Sequence, residues 1–380
     1  MGQRIGTVAA LVGPDPAFWA GRRVLLTGQT GFKGAWLWLW LKRLGAVPFG
    51  LGLPAETEPS LHELAGIGGD SASRIGDIRD PAAVAAAFAA AQPEVVLHLA
   101  AQALVRRSYA EPVATLATNV LGTVNVLEAA RATSSVRAVV SVTTDKCYEN
   151  REWVWPYRES DPLGGHDPYS ASKACAEIVT AAWRRSFLAA AGVGVATARA
   201  GNVIGGGDWS ADRLVPDCLA ALGRSESVAI RNPAATRPWQ HVLEPLSGYL
   251  LLAERLCRSD APDVAGAWNF GPEIGDVQPV SVLADRLVEL WGGSARWHLV
   301  EGAQPHEAGL LAVDASKARI GLGWRPRLGL DEALSWTVSW ERGRREGRDP
   351  ARLVLEQIAA YESLAGPRRT TTSAETEATT

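Results

Sequence analysis

The chain has 380 residues, 47% of them hydrophobic, and a formal net charge of −3. This length suffices for one elaborate domain or two smaller ones around a large buried core. The nearly balanced charge argues against a polyanion-binding surface, so we expect no nucleic acid among the partners.

The cysteines and the termini bear on the cellular compartment. Cys147, Cys175, Cys218 and Cys257 are widely spaced, which favours a reducing compartment over a disulfide framework or a zinc site. The sequence has no run of 18 or more apolar residues, and its first residues lack secretion and myristoylation signals. We therefore expect a cytoplasmic protein with no membrane partner. Residues 366–380, rich in threonine, serine and glutamate, are predicted to be disordered.

The first half of the chain alternates apolar strands with helical stretches. Strands are predicted at 22–27, 46–51, 74–78, 94–101, 138–142 and 194–199, and helices at 35–44, 81–90 and 116–132. Such alternation is typical of a parallel, doubly wound α/β sheet, whose ligands bind beyond the carboxyl ends of the strands.

The pattern changes after Asn202, where glycines, prolines and tryptophans interrupt the alternation. We predict a dinucleotide-binding domain over 1–203, completed by about 240–271, which holds a helix at 245–256 and a strand at 267–270. A smaller mixed α/β lobe for the substrate is predicted over 204–239 and 272–345. Most of the tryptophans are interpreted as packing residues, with one or two at most stacking on a base.

A glycine-rich loop joins the first predicted strand to the helix that follows. Gly28, Gly31 and Gly34 have the spacing G-x-x-G-x-x-G. Glycines permit a tight turn and a close approach of backbone to a pyrophosphate, whose charge the helix N-terminus meets. Similar turns also occur without a ligand, but the strand-loop-helix context favours a dinucleotide.

Two short segments carry the candidate chemistry. Tyr169 and Lys173 are four residues apart, so they share one face of a helix, and an ammonium near a phenol favours the phenolate. Asp145 and Lys146 follow the apolar run 138–142, which is predicted to be a buried strand. Proton-transfer groups near a nucleotide loop indicate redox chemistry coupled to acid-base chemistry.

Longer motifs give a resemblance to a known family. The loop 27–34, the strand end 98–102 and Tyr169-x-x-x-Lys173 resemble those of the extended short-chain dehydrogenases/reductases, the NAD-dependent epimerase/dehydratase family. The segments 200–209, 230–242 and 305–308 are similar to those of its CDP-glucose 4,6-dehydratases. Thr144-Asp145-Lys146 stands where dTDP-glucose dehydratases have Thr-Asp-Glu. The resemblance runs from about Phe18 to about Trp340.

The resemblance implies a Rossmann-type fold and an internal redox cycle on a nucleotide sugar. Tyr169 would take the proton of the sugar 4-hydroxyl while NAD accepts the C4 hydride. Water is then lost across C5 and C6, and the hydride returns to C6. Asp145 would protonate the departing 6-hydroxyl, and Thr144 would hydrogen-bond the 4-oxygen. Lys146 would exchange the C5 proton, or else it positions Asp145 or substrate while water relays that proton.

The resemblance also implies binding residues. Thr27, Gly28, Gly31, Phe32, Lys33 and Gly34 are expected at the cofactor pyrophosphate, Asp77 and Ile78 at the adenine, and Ala100, Ala101 and Gln102 at the nicotinamide ribose, with Tyr169 and Lys173 beside the cofactor. The expected contacts of the CDP-sugar are Asn202, Arg231, Arg237, His241 and His306, with Glu307 beside the last. Asn119 either organises the sheet centre or is a buried asparagine satisfied by backbone. The second strand is followed neither by a clear acidic residue for the ribose of NAD nor by an obvious arginine for the 2′-phosphate of NADP. The preference for NAD over NADP therefore rests on the family.

Three alternatives stay open at this point. Instead of acting on CDP-glucose, the chain could be a dehydratase of another nucleotide sugar, an epimerase, or a non-catalytic dinucleotide-binding scaffold. An epimerase has no use for the elimination pair Asp145-Lys146, and a scaffold has no use for the tyrosine, lysine, threonine and aspartate together. Related enzymes pair through two helices, here about 113–132 and 169–189, so a homodimer or a dimer of dimers is expected.

Overall fold

A seven-stranded parallel sheet lies at the centre of the computed structural model, which describes residues 13–258, 261–300 and 309–364. The strands are β1 (Arg23–Thr27), β2 (Val47–Gly52), β3 (Ser73–Ile75), β4 (Val95–His98), β5 (Ala138–Val142), β6 (Gly194–Ala200), β7 (Val203–Ile204), β8 (Val228–Ile230), β9 (Thr236–Pro238), β10 (Gln240–His241), β11 (Ala267–Phe270), β12 (Val277–Pro279) and β13 (Trp297–Leu299). The order in the central sheet is β11-β6-β5-β4-β1-β2-β3. From β1 the chain adds β2 and β3 on one side and then β4, β5 and β6 on the other, so the strand order reverses between β1 and β4. Ligands of doubly wound sheets bind at that point.

Helices cover both faces of the sheet. They are α1 (Pro16–Trp19), α2 (Phe32–Arg43), α3 (Leu61–Leu64), α4 (Pro81–Ala91), α5 (Val105–Ala110), α6 (Pro112–Leu116), α7 (Gly122–Ala132), α8 (Pro168–Trp183), α9 (Leu214–Gly223), α10 (Leu243–Leu256), α11 (Ala261–Val264), α12 (Val280–Trp291), α13 (Ser316–Gly321), α14 (Leu330–Arg345) and α15 (Pro350–Ser363). Single π-helical turns, Ala117–Leu121 and Arg184–Leu188, extend two of them. The sheet and its helices confirm the predicted Rossmann-type fold.

The central strands are buried on both faces, as their unbroken apolar sequences predict. Every residue of β4, β5 and β6 is buried. Strand β5 has the predicted bounds, and β11, which is distant in sequence, forms the edge of the same sheet beside β6. Most of the tryptophans pack in the core, including Trp19, Trp36, Trp40, Trp324 and Trp340.

A second, smaller set of elements lies beyond the sheet. Strands β7 and β10 pair in parallel, β9 and β12 pair antiparallel, and β8 and β13 pair in parallel. Helices α9, α12 and α14 supply a separate apolar cluster around Leu219, Leu283 and Leu334. This is the predicted mixed α/β lobe. Its boundaries stay a prediction, and the predicted disordered tail, 366–380, lies outside the described residues.

The continuous helical segment Pro112–Ala132 is, by length and composition, apolar enough to cross a membrane, with a mean hydropathy of 1.2. This differs from the sequence prediction, which found no such run. The segment also has buried polar residues, Thr115, Asn119 and Thr123, which form hydrogen bonds inside the protein. Buried polar groups with internal partners are typical of a helix that packs within a protein.

Candidate functional site

A cleft of about 1170 Å³ opens at the carboxyl ends of the central strands and extends into the smaller lobe. Its lining brings most of the predicted site residues together: Gly28, Gly31, Phe32, Lys33, Gly34, Asp77, Ile78, Ala100, Ala101, Gln102, Thr144, Asp145, Lys146, Tyr169, Lys173, Asn202, Arg231 and Arg237. Residues that are far apart in the sequence, from Gly28 to Arg237, thus face one space.

The glycine loop leaves no room for side chains at two positions. Gly28 has a φ of +80°, and a Cβ there would stand 2.7 Å from the backbone nitrogen of Ala100. A Cβ on Gly34 would stand 2.0 Å from the carbonyl oxygen of Gly28. These contacts fold the loop tightly over the start of α2, where backbone N–H groups can meet a pyrophosphate. The loop therefore fits a dinucleotide.

Thr27 lies beneath this loop and is fully buried. Its hydroxyl accepts from the backbone N–H of Ala100 (3.2 Å) and contacts Nδ1 of His98 (2.7 Å), whose Nε2 contacts the hydroxyl of Thr123 (3.0 Å). Because Thr123 donates its own proton to the carbonyl of Asn119, it must accept from His98. His98 is therefore the Nε2–H tautomer, and burial keeps it neutral by lowering its pKa to about 3.

Asn119 lies in the π-helical turn between α6 and α7. Its oxygen accepts from the backbone N–H of Gln102 (2.8 Å), while its amide donates to the Gln102 carbonyl (2.9 Å) and to the hydroxyl of Ser172 in α8 (2.8 Å). Asn119 is thus a buried asparagine satisfied largely by backbone, one of the two predicted alternatives. It also fixes the Gln102 segment to the helix of Tyr169.

The end of β2 differs from that of dehydrogenases with an acidic ribose partner. Gly50 and Gly52 leave the space into which Gln29 packs: a Cβ at Gly50 would stand 2.6 Å from the Gln29 side chain. Gln29 donates to the carbonyl of Arg74 (2.9 Å) and so ties the glycine loop to β3. At the predicted adenine position, Arg79 holds Asp77 through two nitrogens (2.8 and 2.6 Å).

The helix that carries Tyr169 and Lys173 starts at a strong cap. Asp167 accepts from the backbone N–H (2.9 Å) and the hydroxyl (2.6 Å) of Ser170, and Pro168 occupies the first helical position. Lys173 donates to the carbonyl of Val142 at the end of β5 (3.1 Å). Burial lowers the pKa of Lys173 to about 8, although the nearby carboxylate of Glu177 opposes this.

Tyr169, Thr144 and Asp145 form a compact, buried group. Burial raises the pKa of the Tyr169 phenol to about 12, while a hydrogen bond with Thr144 and the charge of Arg213 act in the other direction. The expected base near neutral pH therefore needs nearby positive charge that offsets its burial. Thr144 donates to Oδ1 of Asp145 (3.0 Å), and Oδ2 is buried without a hydrogen bond among the described residues.

The surroundings of Asp145 suit a proton donor. Burial raises the pKa of its carboxyl, and Lys146, Arg237 and Lys33 oppose the rise. Lys33 faces the same cleft, and burial together with Arg213 and Lys173 lowers its pKa to about 7. An acid whose pKa is raised stays protonated to higher pH, which is the form needed to protonate a leaving hydroxyl.

The predicted substrate residues divide into two groups. Arg237 and Asn202 lie in the cleft, and the Arg237 guanidinium donates to the carbonyl of Thr236 (2.9 Å). His241 lies elsewhere: its ring is fully buried between Trp36 (5.7 Å between ring centroids) and Trp336 (5.6 Å). This corrects the prediction that His241 contacts the nucleotide, because the ring packs between two tryptophans and is not among the described residues that line the cleft.

His306 and Glu307 lie outside the described residues.

The structure also adds cleft residues that sequence reasoning missed. Asp208 and Arg213 form an ion pair (3.2 Å) at the cleft wall. Asp212 holds both Arg106 (3.5 Å) and Arg231 (3.4 Å), so the domain and the lobe meet across the cleft. Two tryptophans, Trp209 and Trp239, are in the described lining.

Comparisons with known proteins agree with this geometry. Residues 25–264 match a family model described as GDP-mannose 4,6 dehydratase. The chain is 50% identical over 354 residues to the CDP-glucose 4,6-dehydratase of Salmonella typhimurium, covering 92% of this chain and 98% of that protein. It is 29% identical over 296 residues to the dTDP-glucose 4,6-dehydratase of Streptomyces antibioticus, covering 77% and 82%.

Solved structures share the fold. The dTDP-glucose 4,6-dehydratase DesIV of Streptomyces venezuelae, solved with NAD bound, superposes with a TM-score of 0.71 at 26% identity, covering 87% of this chain and 99% of that one. A UDP-glucose 4-epimerase of Thermotoga maritima, 24% identical and covering 84% and 99%, has a TM-score of 0.72.

Proposed function

The chain belongs to the nucleotide-sugar 4,6-dehydratases of the NAD-dependent epimerase/dehydratase family, and from this premise we propose that it converts CDP-glucose to CDP-4-keto-6-deoxyglucose. The reaction is a hydro-lyase reaction: water is lost, and the hydride removed from C4 returns to C6. A relative that is 50% identical and aligns over nearly the whole of both chains supports cytosine as the base of the substrate.

The observation that carries the proposal is the convergence of two catalytic pairs in one cleft. Tyr169 and Lys173 come from α8, whereas Thr144 and Asp145 come from the end of β5. The first pair suits the removal of a hydroxyl proton during oxidation at C4. The second suits protonation of a hydroxyl that departs from C6. An enzyme that only oxidises or epimerises C4 has no use for the carboxylic acid of Asp145.

The steps depend on the protonation state of each group. Tyr169 takes the proton of the 4-hydroxyl, with Lys173 and Thr144 as the neighbours that stabilise the phenolate. Burial raises the pKa of the Asp145 carboxyl, which favours the protonated acid, and this acid gives its proton to the 6-hydroxyl as water leaves. Lys146 either exchanges the C5 proton or positions Asp145 or substrate while water relays that proton. In both cases it lies in the same cleft.

NAD is the proposed cofactor, and when bound it supplies the acceptor and donor of the transferred hydride. Gly28 and Gly34 have no side chains, so a pyrophosphate can approach the backbone of the loop closely. Phe32 and Lys33 line the cleft beside them. Asp77 and Ile78 would hold the adenine, and Ala100 to Gln102 the nicotinamide ribose. The solved relative with bound NAD supports this choice.

The substrate residues in this proposal are Asn202, Arg231 and Arg237. The Arg237 guanidinium is 5% exposed and close enough to Asp145 to lower its pKa, so it can hold a diphosphate beside the reacting sugar. Arg231 lies farther out, in its ion pair with Asp212, and would serve the nucleoside end.

The test is product analysis with four candidate substrates. Mass spectrometry and NMR would follow CDP-glucose, dTDP-glucose, UDP-glucose and GDP-mannose, each with and without added NAD. We expect loss of water from CDP-glucose alone, a 4-keto-6-deoxy product and no net reduction of NAD. Turnover of another nucleotide sugar would keep the reaction and overturn the base. An inverted C4 hydroxyl with no loss of water would make the chain an epimerase.

We also propose a homodimer formed by the helical segment Pro112–Ala132 and α8. Apolar side chains are exposed along both, at Val113 (79%), Leu121 (60%) and Ile178 (56%). Pairing with a second copy would remove this surface from water. Sedimentation of the wild type and of Leu121→Glu tests the interface, and the variant is expected to be monomeric. A cytoplasmic location stays a prediction.

A further inference from the structure

Glu177 continues the row of catalytic side chains on α8. Tyr169, Lys173 and Glu177 follow one another at intervals of four residues, so they lie on one face of the helix. All three are buried, and Glu177 is 4% exposed. A carboxylate buried so deeply needs a structural or chemical role, because removing its charge from water is costly.

Three donors surround the Glu177 carboxylate. Its Oε1 accepts from the hydroxyl of Thr143 (2.5 Å), and its Oε2 accepts from the hydroxyl of Thr197 (2.6 Å) and from Nη2 of Arg199 (2.8 Å). These partners come from the end of β5 and from β6. One carboxylate therefore joins a helix to two neighbouring strands, with hydrogen bonds that stabilise its ionised form.

The contact with Thr143 matters because the catalytic Asp145 is only two residues further along the chain. Lys173 donates to the carbonyl of Val142, and one turn later Glu177 accepts from Thr143. Two successive turns of α8 thus hold two successive residues at the end of β5. The position of the catalytic tyrosine relative to Asp145 is set through these two contacts.

Arg199 fixes the other side of the carboxylate. Its Nη1 donates to the hydroxyl of Tyr148 (2.8 Å), which in turn donates to Oδ1 of Asn269 in the edge strand β11 (2.7 Å). The side chains of Glu177 and Arg199 are 4% and 3% exposed. The ion pair is therefore shielded from solvent and joined by hydrogen bonds to the sheet.

We propose that Glu177 is a positioning residue for oxidation at C4, holding the end of β5 against α8 and supplying the negative charge that keeps the proton on Lys173 while Tyr169 gives up its own. This inference rests on the proposed function. Tyr169 and Lys173 can lose one proton in two ways: phenolate with ammonium, or phenol with neutral amine. Only the first makes Tyr169 the base, and a negative charge nearer to the lysine favours it.

Other groups facing Lys173 do not supply this charge. They are Cys147 next to β5, His98 at the end of β4 and Lys33 at the start of α2. Burial keeps the Cys147 thiol protonated by raising its pKa, and His98 is neutral. Lys33 repels the ammonium. Glu177 also faces Arg199 and Arg184, neither of which can take its place.

The decisive variant is Glu177→Gln. A glutamine keeps the size and can accept from Arg199 and Thr197 while its amide donates to the Thr143 hydroxyl. We expect the plateau of kcat to fall at least tenfold, because the proton now leaves Lys173 instead of Tyr169. We expect the acidic limb of the kcat–pH profile to move to lower pH, because a negative charge has gone, and KM to stay within twofold. A substrate deuterated at C4 is expected to show a larger isotope effect than in the wild type.

Thr197→Val is the matched control. It removes one hydrogen bond from the same carboxylate but leaves its charge, so we expect a lower melting temperature with an unchanged pH profile and a plateau within twofold of the wild type. The inference is overturned if Glu177→Gln behaves like this control, with lost stability but the wild-type plateau and limb.

Glu177→Asp covers the case in which the glutamine variant does not fold. It keeps a negative charge but draws it back from Thr143 by one methylene, so a smaller fall in kcat at unchanged KM is expected, and an unchanged kcat would contradict the inference. All profiles are measured on whichever nucleotide sugar the wild type turns over. If the wild type turns over none, the proposed function fails; if it does and the variants match it, the role of Glu177 alone fails.

Discussion

Gly34 lies so close to Gly28 that a methyl group on its Cα would stand 2.0 Å from the Gly28 carbonyl oxygen. The first turn of α2 is thus packed directly onto the glycine loop. A methyl group on the Cα of Gly31 would stand 3.5 Å from the same carbonyl oxygen, which is an ordinary van der Waals contact. Neighbouring glycines of one motif therefore have different roles.

This difference predicts opposite results for two alanine variants. Gly34→Ala is expected to lower the free energy of unfolding of the cofactor-free protein by about 1–3 kcal/mol, because the loop must shift to admit the methyl group. Gly31→Ala is expected to leave that stability within about 0.5 kcal/mol of the wild type. Chemical denaturation without NAD measures both. Equal losses in the two variants would show that the close contact is not what requires glycine at position 34.

Asp145→Asn separates the two halves of the reaction. The amide keeps the shape of the carboxyl but cannot donate the proton that a departing 6-hydroxyl needs. We expect loss of water to slow by about 100-fold or more while oxidation at C4 persists. Rapid-mixing absorbance of the reduced nicotinamide follows oxidation, and mass spectrometry follows loss of water. An equal slowing of both would place Asp145 in the first half of the reaction instead.

Arg237→Lys tests the diphosphate contact. Lysine retains the charge but loses the planar fork that binds two oxygens at once, so the Kd for CDP, which carries the diphosphate of the substrate, is expected to rise about tenfold. Arg231→Lys is the matched comparison, because that side chain lies farther out and is held by Asp212. Its effect is expected to be within about threefold. Calorimetric titration with CDP gives both values, and a larger effect at Arg231 would reverse the proposed orientation of the nucleotide.

Glu254→Gln probes the pH dependence of stability. Oε1 of Glu254 accepts from the backbone N–H of Asp15 (2.8 Å) and from Nε1 of Trp19 (2.7 Å), two bonds that a glutamine oxygen can also accept. Burial raises the pKa of this carboxyl from 4.5 to about 7. The folded state therefore holds the proton more tightly than the unfolded state, and this group costs stability as pH rises from about 4.5 through about 7.

The glutamine variant removes that cost. At pH 8 we expect it to be more stable than the wild type by about 1–3 kcal/mol, and at pH 4.5 the two should be equal. Denaturant titrations at both pH values make the comparison. A variant less stable than the wild type at pH 8 would show that the ionised carboxylate contributes more than its burial costs.

The elements of the sheet could be predicted from the sequence because their patterns are local. Strand β5 has the predicted bounds, since a fully buried parallel strand is an unbroken apolar run between polar segments. The pairing of Tyr169 with Lys173 is likewise a consequence of helical spacing. The π-helical turn at Asn119 has no such local signature, and its hydrogen bonds to Gln102 and Ser172 depend on a tertiary contact.

The substrate-binding residues could be predicted less well, because the position of a residue in a motif does not show which way its side chain points. Arg237 and His241 lie in one motif, yet Arg237 lines the cleft and His241 packs between tryptophans. Glu177 was missed although its spacing from Lys173 is the same as that of Lys173 from Tyr169. Its partners on β5 and β6 become visible only in the folded sheet.

The most direct test of the central claim follows a single hydrogen. CDP-glucose deuterated at C4 would be converted by the enzyme with unlabelled NAD in ordinary water, and NMR would locate the label in the product. If both catalytic pairs act in one cleft on one substrate, the deuterium appears at C6 of the 4-keto-6-deoxy sugar. Deuterium that remains at C4, or that is lost to solvent or to free NADH, would contradict an internal hydride transfer.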